Sequence, residues 1–137
     1  MDLIRKVFRP LSWLLSLGIV SGMSESERRL TRISNHVALF GLILLAFHFT
    51  NFVSMGYGEF AIAYIPGFFI LTSVFWFNAV DKKNAARFAI VLVANVTAFV
   101  AGTVFGKDFN GFHFFYACLA AAVMFFNTKD RSLMIIS

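Results

Sequence analysis

Charge is the scarcest commodity in this chain. Only 14% of its 137 residues are charged and 59% are hydrophobic, where a soluble domain carries about 25% charged residues. Acidic groups are rarer still, seven against twelve Lys and Arg. There is a single cysteine, Cys118, inside an apolar run. That excludes an internal disulfide and a cysteine-ligated metal, and leaves packing as its role. Prolines number two, Pro10 and Pro66, so long helices are nearly uninterrupted. No glycine-rich phosphate loop, His-Glu-x-x-His pattern or Ser/His/Asp constellation is present. No enzyme is read in this stretch.

What is abundant is uncharged apolar sequence. Residues 33–55 read ISNHVALFGLILLAFHFTNFVSM, with no formal charge beyond whatever His36 and His48 carry. As a helix this stretch is roughly 34 Å long, enough to cross a hydrocarbon core of about 30 Å. Three more apolar stretches follow at 61–80, 88–105 and 112–126, and the chain holds nineteen phenylalanines. The fold class expected is all-α: a compact bundle of four transmembrane helices preceded by an interfacial amphipathic helix. The chain divides into a basic interfacial helix (1–23), a charged cytoplasmic boundary (24–32), a four-span membrane domain (33–131) and the start of a further segment (132–137).

Within residues 1–23, Arg5, Lys6 and Arg9 sit among Leu3, Ile4, Val7 and Phe8, and Trp13 is an interfacial anchor. This pattern suits a helix lying on an anionic leaflet. A cleaved signal peptide is the rival reading, although SLGIVSGMS offers no convincing Ala-x-Ala site; a tilted extra span or re-entrant segment is another. Next, Ser24 stands three residues before Glu27, the spacing of a capping box. Arg28, Arg29 and Arg32 follow, as in a short surface helix running into the first span. Pro66 and Gly67 lie near the outer end of the second stretch, where a proline can bend a crossing helix. Residues 81–87, DKKNAAR, read as an inner loop. In the third stretch, Gly102 and Gly106 form a close-packing pair. Ala117, Ala120, Ala121 and Ala122 smooth the short fourth.

The net charge of +5 does not point to nucleic acid, because no continuous basic face is visible. The basic residues sit instead at segment boundaries. Both termini and the 81–87 loop inside would place every Lys and Arg in the cytoplasm except Lys107. The positive-inside rule therefore favours cytoplasmic N- and C-termini, in the inner membrane of a cell. The tail RSLMIIS stops in a new apolar run, so the chain is expected to be the front of a longer protein.

The order of boundary pieces carries a resemblance. GMSESERRLTRISNHVALFG (22–41) precedes the first span, GKDFNGFHFF (106–115) opens the fourth and FNTKDRSL (126–133) closes it. Together these resemble the amino-terminal multi-helix membrane module of bacterial signalling proteins, which stands ahead of a histidine kinase, nucleotide cyclase or DNA-binding output domain. The resemblance covers nearly all of the chain. The family pattern continues into two further spans and an output domain that these residues do not include. It implies a sensory or anchoring role and supplies no ligand.

Candidate functional residues are few. His48 and His113 both fall toward the outer face, with Asn51 one turn beyond His48. Glu59, Asp108, Asn110 and Tyr116 can join them from loops and a helix end. Polar groups at this depth usually face the bundle or water. They make either a hydrogen-bonded packing cluster or an outward-facing site for a ligand, proton or metal. A haem held by His48 and His113 is the sharper version, chemically feasible but without glycines to admit the ring. His36 reads as interfacial. Asn95, near the middle of the third stretch, needs an amide partner in hydrocarbon and is expected to bridge helices. No cofactor is predicted outright. The partners expected are lipids, a second copy or larger membrane complex, and a cytoplasmic signalling domain. Three function classes follow: a sensory and anchoring module, a non-catalytic accessory subunit of a membrane complex, and a haem- or metal-binding membrane protein.

Overall fold

Ser24 begins the first long helix. Its hydroxyl accepts a hydrogen bond from the Glu27 backbone N–H at 3.3 Å, and Glu25 and Glu27 place negative charge in the first turn, where the helix dipole favours it. Helix α1 runs unbroken over Glu25–Ser54. The charged boundary and the first apolar stretch are therefore one helix. The computed structural model describes residues 11–105. The expectations for Arg5, Lys6 and Arg9, for the fourth stretch, and for Asp108, Asn110, His113, Tyr116 and Cys118 fall outside the described residues.

Helix α1 ends in a Schellman turn. Gly56 takes the left-handed conformation (φ +82°), while the Tyr57 N–H reaches the Phe52 carbonyl (2.9 Å) and the Gly56 N–H reaches Val53 (3.1 Å). These bonds satisfy carbonyls the helix end would otherwise orphan.

The second apolar stretch is divided. A short helix α2, Gly58–Ile62, is followed by a turn and then helix α3, Ile65–Ala79. A bend within one continuous helix was expected at Pro66. The observed break follows from proline chemistry: Pro66 has no N–H to give and its ring excludes the carbonyl of residue 62. It is accommodated in the first turn of a new helix instead.

Helix α3 also ends in a Schellman turn, with Asp81 as the left-handed residue (φ +62°). The Lys82 N–H reaches Phe77 (2.8 Å) and the Asp81 N–H reaches Asn78 (3.3 Å). Lys83 then pairs with Asp81 at 2.6 Å. The turn is so tight that helix α4 starts at Lys83 and runs to Phe105. The inner loop expected over 81–87 is mostly helix; Asn84, Arg87 and their neighbours form its first two turns.

Helix α3 packs against both α1 and α4, and α1 also meets α4. The α1–α3 pair is antiparallel. Ser34 and Asn35 meet Asn78, Gly41 meets Leu71, Leu45 meets Gly67, and His48 meets Tyr64, so numbers rise on one helix as they fall on the other. The core gathers Ala38, Leu45, Leu71, Val74, Phe75, Ala86, Ala89, Ile90, Val91 and Val93. The architecture is an all-α helical bundle. Among the described residues one helix, α1, is long and apolar enough to cross a membrane.

The segment before α1 differs from the expected surface helix. Among its described residues, it is helical over 11–15 and turns over 16–18, with Gly18 left-handed at φ +78°. Leu14 and Leu17 pack against the core. The segment is seated on the bundle rather than extended away from it.

Candidate functional site

The two ends of the bundle have different chemistry. At the end holding 25–32 and 81–87, the helices bury a polar cluster. Ser34 and Asn35 are 0% exposed, and Thr31 and Asn78 are 1% exposed. Asn78 is the hub: its amide donates to Ser34 Oγ at 2.9 Å and to Asn35 Oδ1 at 2.7 Å. The Ser34 hydroxyl in turn donates to the Thr31 carbonyl at 2.9 Å. The Asn35 amide uses both its hydrogens on the preceding segment, donating to the carbonyls of Leu15 (3.1 Å) and Leu17 (2.9 Å). Those two carbonyls belong to a turn that cannot satisfy them itself, and Asn35 completes it.

Gly18 explains the close approach. A Cβ there would lie 2.2 Å from the Asn78 carbonyl oxygen, so only glycine allows the turn to rest on the end of α3. Two polar atoms in the cluster, Asn78 Oδ1 and Thr31 Oγ1, are buried with no hydrogen-bond partner among the described residues. Buried polar atoms are nearly always paired, so each calls for an account.

The opposite end is aromatic. His48 is exposed and stacks in parallel on Tyr64, with ring centroids 6.2 Å apart and planes at 11°. Phe47 presents its ring to His48 edge-on at 5.8 Å, and Phe52 lies 5.6 Å from Tyr64. Asn51 is half-buried and Glu59 is exposed on α2. The contacts that His48 makes here are thus with rings, Tyr64 above all, a partner not foreseen from sequence. Beside it, a cleft of about 200 Å³ is lined by Leu45, Tyr64, Pro66, Gly67, Val93 and Thr97. It is apolar apart from two hydroxyl-bearing residues.

His36 is exposed and its ring Nδ1 donates to the Arg32 carbonyl at 2.7 Å, consistent with a boundary residue. Asn95 is half-buried, and its amide donates to the Val91 carbonyl of its own helix at 2.9 Å. Asn78 makes inter-helix amide bonds, to Ser34 and Asn35. The signal that found Asn95, an amide within an apolar stretch, was equally present at Asn78. Among the described residues no group of three or more His, Cys, Asp or Glu is placed to hold a metal. No protein-family model, curated protein or solved structure matches the chain.

Proposed function

We propose that the chain is a multi-pass module of a cell's inner membrane that anchors and regulates a cytoplasmic signalling output, with both termini cytoplasmic. The observation that carries it is the sorting of side chains along and around the bundle. The first turns of α1, the α3–α4 turn and the first turns of α4, which share one end, carry Arg28, Arg29, Arg32, Lys82, Lys83 and Arg87. The other described end, 55–64, has no basic residue. This is the asymmetry the positive-inside rule describes.

Between the ends, the exterior is apolar. Phe40, Ile43 and Phe47 on α1, Phe69 and Trp76 on α3, and Val96 and Phe99 on α4 are each more than half exposed. Only 11% of the most apolar window of α1 is buried, so α1 does not resemble the core helix of a soluble protein. Each such side chain would contribute about 1.5–3 kcal/mol if removed from water, and lipid removes them all. Helix α4 has 23 residues, roughly 34 Å, and no charge from 88 to 105; its crossing beside α1 is part of this proposal. The fourth crossing is assigned to 112–126 on sequence alone. The regulatory part of the reading rests on the resemblance to signalling membrane modules and on the buried polar cluster joining three chain segments at the cytoplasmic end.

Single cysteines introduced in 56–59 and at Lys82, in a background lacking Cys118, test the orientation. An impermeant thiol reagent added to intact cells should label the first and spare the second. The opposite pattern refutes the orientation. If neither helix-end site becomes protected when intact cells are compared with lysed cells, membrane crossing itself fails. Purification then separates the functional classes: stable association with other membrane proteins, and no physical or genetic link to an output domain, would replace the regulatory reading with that of an accessory subunit.

A further inference from the structure

The buried amide pair at the charged end has two ways to satisfy itself, and only one of them holds the segment 11–24. From this we infer that Asn35 and Asn78 form a latch, and that residues 11–24 are a strap released and reseated as a unit while α1 and α3 stay packed. The inference does not depend on how many helices cross a membrane.

Three observations converge. The strap is lightly held: none of residues 11–24 is fully buried, and Trp13 and Val20 are 65% and 60% exposed. Segments with few buried contacts open at the low end of a protein's local free energies. Its holders are the reverse, with Asn35 and Asn78 at 0% and 1% exposure in the helix interface. The attachment is also concentrated in residues 14–18: the packing of Leu14 and Leu17 on the core, two bonds from one amide to Leu15 and Leu17, and the seat of Gly18 on the end of α3.

The orphan acceptor supplies the second state. Lifting the strap would leave both Asn35 amide hydrogens unpaired in a buried place, which is unfavourable. Asn78 already donates to Asn35 Oδ1, and its own Oδ1 is buried without a partner. Rotation of the two side-chain amides lets Asn35 donate to Asn78 Oδ1 in return, giving a reciprocal amide pair. The unpaired oxygen of the seated state thus becomes the acceptor of the released state. Seating trades that pair for the strap's two carbonyls and the core contacts of Leu14 and Leu17, so the reciprocal pair offsets part of what release costs. A two-state element of this kind lets a change at the α1–α3 contact alter the position of the N-terminal segment.

Hydrogen exchange of the full chain in lipid nanodiscs, read by mass spectrometry, tests this. In the wild type, the hydrogen-bonded amides of Ser16, Leu17 and Ile19 should exchange about tenfold or more faster than those of 33–45. Gly18→Ala, which places a Cβ against Asn78, and Asn35→Ala, which removes both strap bonds, should each raise exchange in 11–24 about tenfold again and leave 41–50 unchanged. Exchange of the strap and of 33–45 at one common rate in the wild type overturns the latch. So does unaltered strap exchange in both variants. Should either variant unfold, the wild-type comparison still decides.

Discussion

Replacing Asn78 should be among the more damaging single changes available in the described residues. Asn78→Ala removes two donated bonds, at 2.9 Å to Ser34 and 2.7 Å to Asn35, each contributing about 1 kcal/mol net. It also leaves Asn35 Oδ1 buried without that donor, a penalty of about 1–3 kcal/mol. Against this stands relief at Asn78 Oδ1, unpartnered at present, worth about 1–2 kcal/mol. The balance is a loss of about 1–4 kcal/mol. Asn78→Asp keeps the volume but turns both donors into acceptors facing Ser34 Oγ and Asn35 Oδ1. With no donor left between these buried oxygens, the variant should be at least as destabilised as Asn78→Ala. Reversible unfolding in detergent micelles, followed by far-ultraviolet circular dichroism, measures both. If Asn78→Ala lies within about 0.5 kcal/mol of wild type, where ordinary surface substitutions fall, the amide is not the hub its distances imply. An Asn78→Asp variant as stable as the wild type would refute the role assigned to its two donors.

Two further changes probe neighbouring features by the same melts. Thr31→Val removes a buried hydroxyl without a partner among the described residues and keeps its shape, so it should be neutral or stabilise by about 1 kcal/mol; a loss larger than that would reveal a partner. Asp81→Gly relieves a left-handed residue at φ +62° and should stabilise by about 0.5–1 kcal/mol. The Lys83 pair that it sacrifices is largely solvent-exposed on the Asp81 side and offsets little of this. Asp81→Val should be destabilising, because a β-branched residue tolerates that conformation poorly.

Local signals in the sequence proved most legible. Ser24 and Glu27 fixed the start of α1 because a cap is written within four residues. The apolar stretches at 33–55 and 88–105 located the long helices because their burial and length need no knowledge of neighbours. Pro66 marked the right place but suggested a bend, since the difference between a bent and a divided helix depends on how the turn at 63–64 is accommodated. The basic residues of 82–87 looked like loop because charge and loop are correlated; Lys, Ala and Arg are in fact good helix formers, and the turn needed only residues 80–82. The amide hub was not legible as a hub. Asn35 and Asn78 meet across a separation of 43 residues, and nothing within either stretch names the other. The same holds for His48, whose stacking on Tyr64 depends on the α1–α3 register.

The interruption at 63–64 bears on how such a chain is made. With α2 split away, α3 has 15 residues, roughly 22 Å of helix, against a hydrocarbon thickness of about 30 Å. Leaving a ribosome, such a segment is a weak instruction to enter a bilayer. Helix α4 follows after only the turn at 80–82, is 23 residues long, and packs directly on α3. If α3 and α4 both cross as proposed, they would enter as a hairpin, with the longer partner committing the shorter. Insertion of α3 would then wait on synthesis of residues well past Lys83, and a nascent chain halted before them would leave α3 at the surface with α1 alone embedded.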